Sequence, residues 1–330
     1  MNSARLSVSA AFIAFVTAAC SDAPTTMAPA TTDPSPTHLA TECQTRCPPP
    51  ARIVYTRVIP GLLGSPENRE IYSMKADGTD KKRLTYSFGP DGDPTWSPDR
   101  LRIAFVSSRT GSSKLYTMYA DGTDVKQVTF GTGNDRNPSW SPDGKSLVFM
   151  SDRTSPNLPM QIYTVNVDGT QLTRVTKDDF DYRDPVWSKT GSAIYASSTR
   201  DGSGYWHLYV MNTSGNGIKR LTSGNADDFD LNVSSDGSKV IFRRILPSMQ
   251  SQIVQLATMT GADLGYVMWD QNPQAELMSP SYSPDGEWIT FTKYNGPGAE
   301  VEIWKYRLGY VPSVQLTGSF ESNLQPRWSR

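Results

Sequence analysis

Short apolar runs separated by polar turns recur along the chain from Ala51 onward. Each run holds four to seven residues, is enriched in β-branched and aromatic side chains, and is bounded by Gly, Pro, Asp or Ser. Runs of this length and composition predict β-strands, because helices need longer segments with a period of about 3.6 residues. The hydrophobic pattern therefore predicts an all-β chain of many short strands.

The runs come in groups of four that share the same motifs. The stretch Asn137–Phe149 (N-P-S-W-S-P-D-G-K-S-L-V-F) shows the first two runs, the third is built around an aromatic residue, and the fourth ends in Leu-Thr or Val-Thr. The turn between the third and fourth runs carries a glycine every 44 to 47 residues, at Gly78, Gly122, Gly169, Gly215 and Gly261. Asp-Gly at such a turn supplies the positive φ of a tight hairpin. Four antiparallel strands at this period predict a β-propeller blade.

The number of runs predicts how the ring closes. There are six copies of the first, third and fourth runs, but only five copies of the second run follow a first run. The remaining second run is Arg52–Arg57, at the start of the folded region. We therefore predict that Pro326–Ser329 pairs with Arg52–Arg57 and closes a six-bladed propeller over residues 51–330. The repeated tryptophans, which stand at one position in four of the six blades, are predicted to pack between blades.

The repeated motifs Pro-x-Trp-Ser-Pro-Asp-Gly, Ile-Tyr-x-Met, Asp-Gly-Thr and Leu-Thr resemble the propeller repeat of the TolB family. The resemblance covers roughly residues 52–330. Members of that family carry an N-terminal α/β domain, and in this chain about thirty linker residues stand in its place. The resemblance therefore implies an exported TolB-like propeller and does not extend to the Tol-system role of that missing domain.

The first fifty residues predict export. Residues 1–20 contain Arg5, a short apolar run and Ala18-Ala19-Cys20, which is typical of a cleaved signal with a lipobox-like end. We predict that Cys20 carries the lipid, with an ordinary secretory signal as the alternative, and that the protein is periplasmic, at the outer membrane if the cell is Gram-negative. Residues 21–50 read as a flexible Pro/Thr/Ser-rich linker in which Cys43 and Cys47 form a disulfide.

Charge and loop composition narrow the choice of partner. Lys+Arg 32 against Asp+Glu 33 gives a net charge of −1, which does not favour nucleic acid or direct binding to a membrane surface. We predict a monomer that meets the membrane only through its lipid anchor. One face of the propeller has short repeated turns and the other has loops of variable length, where binding normally resides.

The candidate binding residues lie in the variable loops. Acidic and aromatic side chains are concentrated in two consecutive blades, and a cation recurs once per blade after the second run. The predicted set is Asp181, Tyr182, Arg183, Asp184, Asp228, Phe229, Asp230, Arg109, Arg153 and Arg200. The cations either pair with acidic loops and order them, or form a charged ring at the channel mouth that binds a peptide carboxylate or an arginine-rich segment.

The chemistry of the chain predicts binding, not catalysis. There is no Gly-x-Ser-x-Gly elbow, and the only histidines are His38 and His207, so neither a serine hydrolase nor a histidine metal centre is predicted. No cofactor is predicted, although Ca²⁺ at the two acidic loops remains an alternative. We predict recognition of an envelope protein or peptide. The alternative is a carbohydrate-active enzyme or glycan-binding propeller that uses the acidic loop residues.

Overall fold

The fold is a ring of six antiparallel sheets, each with four strands. A computed structural model of the chain describes residues 50–60, 67–154, 159–258, 261–310, 312–318 and 322–329. The predicted export signal and nearly all of the predicted linker, with Cys20, Cys43 and Cys47, lie outside these residues, so their roles stay predictions. No helix within the described ranges has the length and apolar character that crossing a bilayer requires.

The strands follow one another in the order that the repeat predicts. They are β1 (Arg52–Ile59), β2 (Asn68–Lys75), β3 (Lys82–Arg83), β4 (Asp91–Trp96), β5 (Arg102–Ser107), β6 (Lys114–Tyr119), β7 (Lys126–Gln127), β8 (Asp135–Trp140), β9 (Ser146–Ser151), β10 (Gln161–Asn166), β11 (Thr173–Arg174), β12 (Tyr182–Trp187), β13 (Ala193–Ser198), β14 (His207–Asn212), β15 (Lys219–Arg220), β16 (Asp227–Val233), β17 (Lys239–Ile245), β18 (Ser251–Ala257), β19 (Asp263–Trp269), β20 (Glu276–Tyr282), β21 (Trp288–Tyr294), β22 (Val301–Arg307), β23 (Val314–Gln315) and β24 (Asn323–Trp328). Blade one is the sheet β24-β1-β2-β3, and blades two to six take the following strands in fours.

The first strand of each blade lies at the centre of the ring. β4 contacts β8, and the contacts continue through β12, β16, β20 and β24 back to β4. The all-β, six-bladed propeller that the repeat predicts is therefore confirmed. The second and third strands of each blade surround this inner ring, and the fourth strand, which has two residues in every blade except blade five, lies at the rim.

Apolar side chains from neighbouring blades pack against each other to form the core. Trp140, at the end of β8, shares a cluster with Ala104 of blade two and Phe149 of blade three. The equivalent Trp96 and Trp328 are also buried, with 5% and 6% of their surfaces exposed. Burying a large aromatic side chain stabilises a fold by about 3–5 kcal/mol relative to alanine. The predicted inter-blade packing of the repeated tryptophans is confirmed.

The two ends of the propeller are joined within blade one. β24 pairs antiparallel with β1, which places Trp328 opposite Ile53. Two hydrogen bonds of 2.8 Å extend the pairing, from the Ser329 N–H to the Arg52 carbonyl and from the Arg52 N–H to Ser329 Oγ. The predicted closing pair is confirmed, and it begins three residues earlier in β24 than the Pro326–Ser329 range.

The innermost strands start earlier than the sequence pattern indicates. We expected the variable loops to run as far as Asp184 and Asp230, but β12 begins at Tyr182 and β16 at Asp227. At this point each of these innermost strands has one residue more than the strand it pairs with, which shifts the register. The residue at the shift has a positive φ, 51° for Asp184 and 56° for Asp230. The irregularity interrupts the alternation of apolar and polar positions, so the pattern hides the first half of the strand. Asp184 and Asp230 therefore lie in strands and not in loops.

Gly122 shows why the turns of this fold need glycine. Its φ is +90°, and an added Cβ would lie 2.6 Å from the carbonyl oxygen of Leu84 in the preceding blade. We expect Gly122→Ala to lower the free energy of unfolding by about 2 kcal/mol, because the φ strain and the backbone clash add. Gly131→Ala is the matched control, since its φ is +87° and nothing lies within 4 Å of the added Cβ. Urea denaturation should show a loss of about 1 kcal/mol for Gly131→Ala. Equal losses in the two variants would mean that the clash does not matter.

Candidate functional site

The variable loops of the propeller lie on one face, which we call the loop face. It comprises the connections from second to third strands and from each fourth strand to the next blade. In four blades, a buried polar side chain near the start of the third strand hydrogen bonds to the loop that follows the fourth strand. The Ser87 N–H donates to Glu70 (3.0 Å), Gln161 Nε2 donates to the Phe180 carbonyl (2.8 Å), and His207 Nε2 lies 3.0 Å from the Gly224 carbonyl oxygen. Lys114 Nζ bonds the Gly133 carbonyl in the same way. The loop face is thus anchored blade by blade.

In five blades the cation at or just after the end of the second strand is paired with a carboxylate. Arg109 lies 3.1 Å from Asp91, and Arg153 lies 2.7 Å from Asp135. Both carboxylates are fully buried. Each stands two residues before the bulge of its innermost strand. The structure therefore places Arg109 and Arg153 in ion pairs inside their own blades.

Blade four departs from this arrangement because Tyr182 stands where blades two, three and five have an aspartate. Tyr182 is fully buried, and its hydroxyl donates to Asp178 (2.9 Å). Burial raises the pKa of Tyr182 to about 12. Arg200 bonds Asp178 and donates to the Tyr182 hydroxyl (3.1 Å), so a loop carboxylate replaces the missing strand acid. Tyr182 is a core residue that orders the loop.

The other candidates of blades four and five lie near one another on the loop face. Asp181 accepts the Met160 N–H (2.8 Å), which joins the second-to-third-strand loop of blade three to the loop that leads into blade four. Asp228 is buried and pairs with Arg244 at 2.7 Å. Phe229 is half-buried and packs against the ring of Trp206, with 5.6 Å between ring centroids. Of these residues, Phe229 offers its side chain to the surface.

Six residues at the strand bulges line the central channel. They are Asp93, Asn137, Asp184, Asp230, Ser279 and Gln325, and we call them the channel ring. Hydrogen bonds join one blade to the next: the Asn137 N–H donates to Asp93 (3.2 Å), and the Asp230 N–H donates to Asp184 (2.9 Å). Asn137 Nδ2 donates to the other oxygen of Asp184 (2.6 Å). The ring carboxylates thus hold adjacent blades together.

The channel holds three carboxylates and one guanidinium. Burial and, to a lesser degree, the carboxylate of Asp230 raise the pKa of Asp184 to about 7, against the opposing effects of the Asp230 N–H and Arg327. Burial also raises the pKa of Asp93. Arg327 donates to the Ser279 carbonyl (3.1 Å), and burial lowers its pKa against the attraction of the three acids. The negative charge of the channel therefore changes near neutral pH.

The interior of the channel is small. The cavity that the ring lines has a volume of about 160 Å³, which is less than the ~300–1,000 Å³ typical of small-molecule sites. Among the described residues, no group of three or more His, Cys, Asp or Glu side chains is placed to hold a metal ion. A macromolecular partner would therefore meet the loop face and the rim of the channel, not its interior.

The channel mouth combines two arginines with aromatic rings. Arg136 and Arg183 directly precede the ring residues Asn137 and Asp184, which are hydrogen bonded to each other. The Arg183 guanidinium lies 4.3 Å from the centroid of Trp206. Sequence analysis found Arg183 but missed Arg136 and Trp206. Arg136 stands two residues before the repeated proline, as Arg183 does. Comparing this position across blades would have indicated Arg136.

Comparison with known proteins supports the architecture. A family model described as the TolB β-propeller domain matches residues 58–161, 96–244 and 137–275. TolB from Acinetobacter baumannii is 23% identical with a TM-score of 0.69, and the match covers 84% of this chain and 66% of that one. The chain thus spans just under two thirds of that protein's length. No curated protein sequence matches this chain.

Other solved structures are similar at lower identity. A putative TolB from Agrobacterium tumefaciens is 17% identical with a TM-score of 0.63, and the match covers 81% of this chain and 89% of that one. An oligogalacturonate lyase in complex with manganese is 13% identical with a TM-score of 0.54, and covers 74% of this chain and 70% of the lyase. At these identities the likeness is one of fold alone, because one fold hosts many functions.

Proposed function

Because the chain belongs to the TolB β-propeller domain family, we propose that it is an exported, non-catalytic binding module that recognises an envelope protein or peptide. The loop face and the channel mouth are the surfaces that we assign to this partner. In the proposed arrangement the protein is a periplasmic monomer, tethered through a lipid on Cys20 to the outer membrane if the cell is Gram-negative.

The observation that carries this proposal is the difference between repeated and unrepeated positions. The repeated tryptophans, turn glycines and arginine–aspartate pairs all serve to build the ring. The side chains at the mouth differ from blade to blade, as Arg136, Arg183 and Phe229 do at one strand position. A rigid scaffold that presents varied side chains on anchored loops is typical of a recognition surface.

The acids that carbohydrate chemistry would need are engaged in the scaffold. Asp184 and Asp230 each accept a backbone N–H from the next blade, and Asp228 is paired with Arg244. A glycosidase needs one carboxyl group free to donate a proton and another free to face the sugar. These contacts favour binding over the enzymatic alternative.

Site-specific photo-crosslinking tests the proposal. We would place p-benzoylphenylalanine at Phe180, which is 37% exposed on the loop face, in the full chain produced in cells. The matched control is the same group at Leu172, which is 44% exposed and follows a third-to-fourth-strand turn on the opposite face. We expect a discrete adduct at Phe180 only, with a partner that mass spectrometry identifies and that rebinds the purified protein. The same adducts at both positions, or none at either, would contradict a loop-face partner.

A further inference from the structure

The arginines of the loop face fall into two groups. Those that follow the second strand are neutralised by carboxylates of their own blade, as Arg109 and Arg153 are. The two at the channel mouth differ. Arg136 is exposed and makes neither a hydrogen bond nor an ion pair with any described residue. Among the described residues, the one carboxylate that pairs with Arg183 is Asp181, at 3.8 Å, which is beyond hydrogen-bond distance.

The mouth arginines are held where they can act together. The Arg183 guanidinium lies over the ring of Trp206, and a guanidinium held on an aromatic face keeps N–H groups free to donate at its edge. Arg136 lies close enough to the channel ring for its charge to lower the pKa of Asp93. The strands that carry the two arginines are linked one residue further on by the Asn137–Asp184 hydrogen bond. The two arginines therefore hold equivalent positions on neighbouring innermost strands at the same rim.

The channel ring limits what these arginines can bind. The oxygens of Asp93 and Asp184 already accept hydrogen bonds from Asn137 and Asp230, so they leave the donors of Arg136 and Arg183 unsatisfied. An anion that meets the two arginines is kept from moving deeper by the carboxylates beneath. A cationic group would have to pass the two positive charges at the rim first.

Resting on the proposed function, we propose that the channel mouth binds a carboxylate attached close to an apolar side chain. Arg136 and Arg183 take the carboxylate, since guanidinium groups match carboxylate oxygens in charge and geometry. The edge of the Trp206–Phe229 pair takes the apolar group. A C-terminal carboxylate after an apolar residue, or an acidic side chain beside one, supplies the same chemistry.

Two small probes test this assignment and distinguish the two sources. N-acetylphenylalanine carries a terminal carboxylate, and N-acetyl-aspartyl-phenylalaninamide carries a side-chain carboxylate. Each is titrated into the full chain while NMR follows the indole N–H resonance of Trp206, which Trp206→Phe identifies. We expect a saturable shift with one or both acids, and none with N-acetylphenylalaninamide at the same concentrations.

Variants show whether the two arginines bind the carboxylate of the probe. Arg136→Gln and Arg183→Gln should each lower the affinity for the acid by about tenfold or more, because each variant loses a charge-assisted hydrogen bond. Lys145→Gln removes one exposed positive charge on the opposite face and should leave the affinity unchanged. Equal shifts with acid and amide, no shift with either acid, or unchanged affinity in both arginine variants would overturn the inference. A loop-face crosslink would stand in any of these cases, because it does not depend on the partner's charge.

Discussion

Replacing Arg109 by alanine is expected to lower the free energy of unfolding by about 3–5 kcal/mol, because it leaves a buried carboxylate without a partner. Asp91 is fully buried, and the guanidinium contacts both of its oxygens, at 3.1 and 3.3 Å. The guanidinium also lies 4.8 Å from the centroid of Tyr116, so packing is lost together with charge. Urea denaturation at pH 7 measures the loss.

The repeat supplies an internal comparison for this prediction. In blade three, Arg153→Ala removes the equivalent guanidinium, but Lys114 Nζ remains 3.9 Å from the Asp135 carboxylate. We therefore expect Arg153→Ala to cost about half as much, because the carboxylate keeps one positive neighbour. Arg69→Ala is the exposed control and should change stability by no more than about 0.5 kcal/mol.

The result also decides between a scaffold role and a binding role for Arg109. If Arg109→Ala costs less than about 1 kcal/mol, the pair behaves like an exposed salt bridge and the binding hypothesis for this arginine regains support. A large loss together with an unchanged loop-face crosslink would assign Arg109 to the scaffold. Because the acid partner is in the same blade, the double replacement of Asp91 and Arg109 by alanine should recover part of the lost stability.

The sequence predicted the ring because its repeated residues build it. Tryptophan between blades recurs in four of the six blades and glycine at a positive-φ turn in at least five, and a pattern that recurs every 44 to 47 residues is readily seen. The closing pair of β24 with β1 followed from counting the runs, since a missing strand at one end must be supplied from the other.

The sequence could not place the acidic residues before the repeated proline. Asp184 and Asp230 look like the ends of acidic loops because a bulge interrupts the alternation that marks a strand. Tyr182 was assigned to a surface for the same reason, although it occupies the buried position that Asp91 and Asp135 hold in other blades. The recurring Asp-x-Asp-Pro and Asp-x-Asn-Pro motifs at residues 91–94 and 135–138 contain this information, but only a known register shows which carboxylate faces the core and which faces the channel.

The raised pKa of Asp184 in the channel ring predicts that the free energy of unfolding falls as pH rises. The pKa of Asp184 in the folded protein is about 7, whereas an unfolded aspartate titrates near ~3.9. Between these values the folded state holds a proton that the unfolded state has lost, so Asp184 stabilises the fold fully below about pH 4, and this contribution is lost as pH rises through about 7. The window from pH 5 to pH 8 contains about two pKa units of this shift, which correspond to about 2.7 kcal/mol, and partial access to the channel reduces the expected loss to about 2 kcal/mol.

Asp184→Asn should remove this pH dependence. Asparagine stays neutral at every pH, and Asn137 occupies the same ring position in the neighbouring blade with a φ of 50°, so the backbone accepts it. We expect urea midpoints of the variant to vary little from pH 5 to pH 8, and the variant to be the more stable protein at pH 8. Asp168→Asn is the matched control, because hydrogen bonds from Thr170 hold the pKa of that exposed carboxyl below its usual range and both states are ionised throughout this window. The control should keep the wild-type slope. If Asp184→Asn keeps it as well, the proton is held elsewhere, and Asp93, whose pKa burial also raises, is the next group to replace.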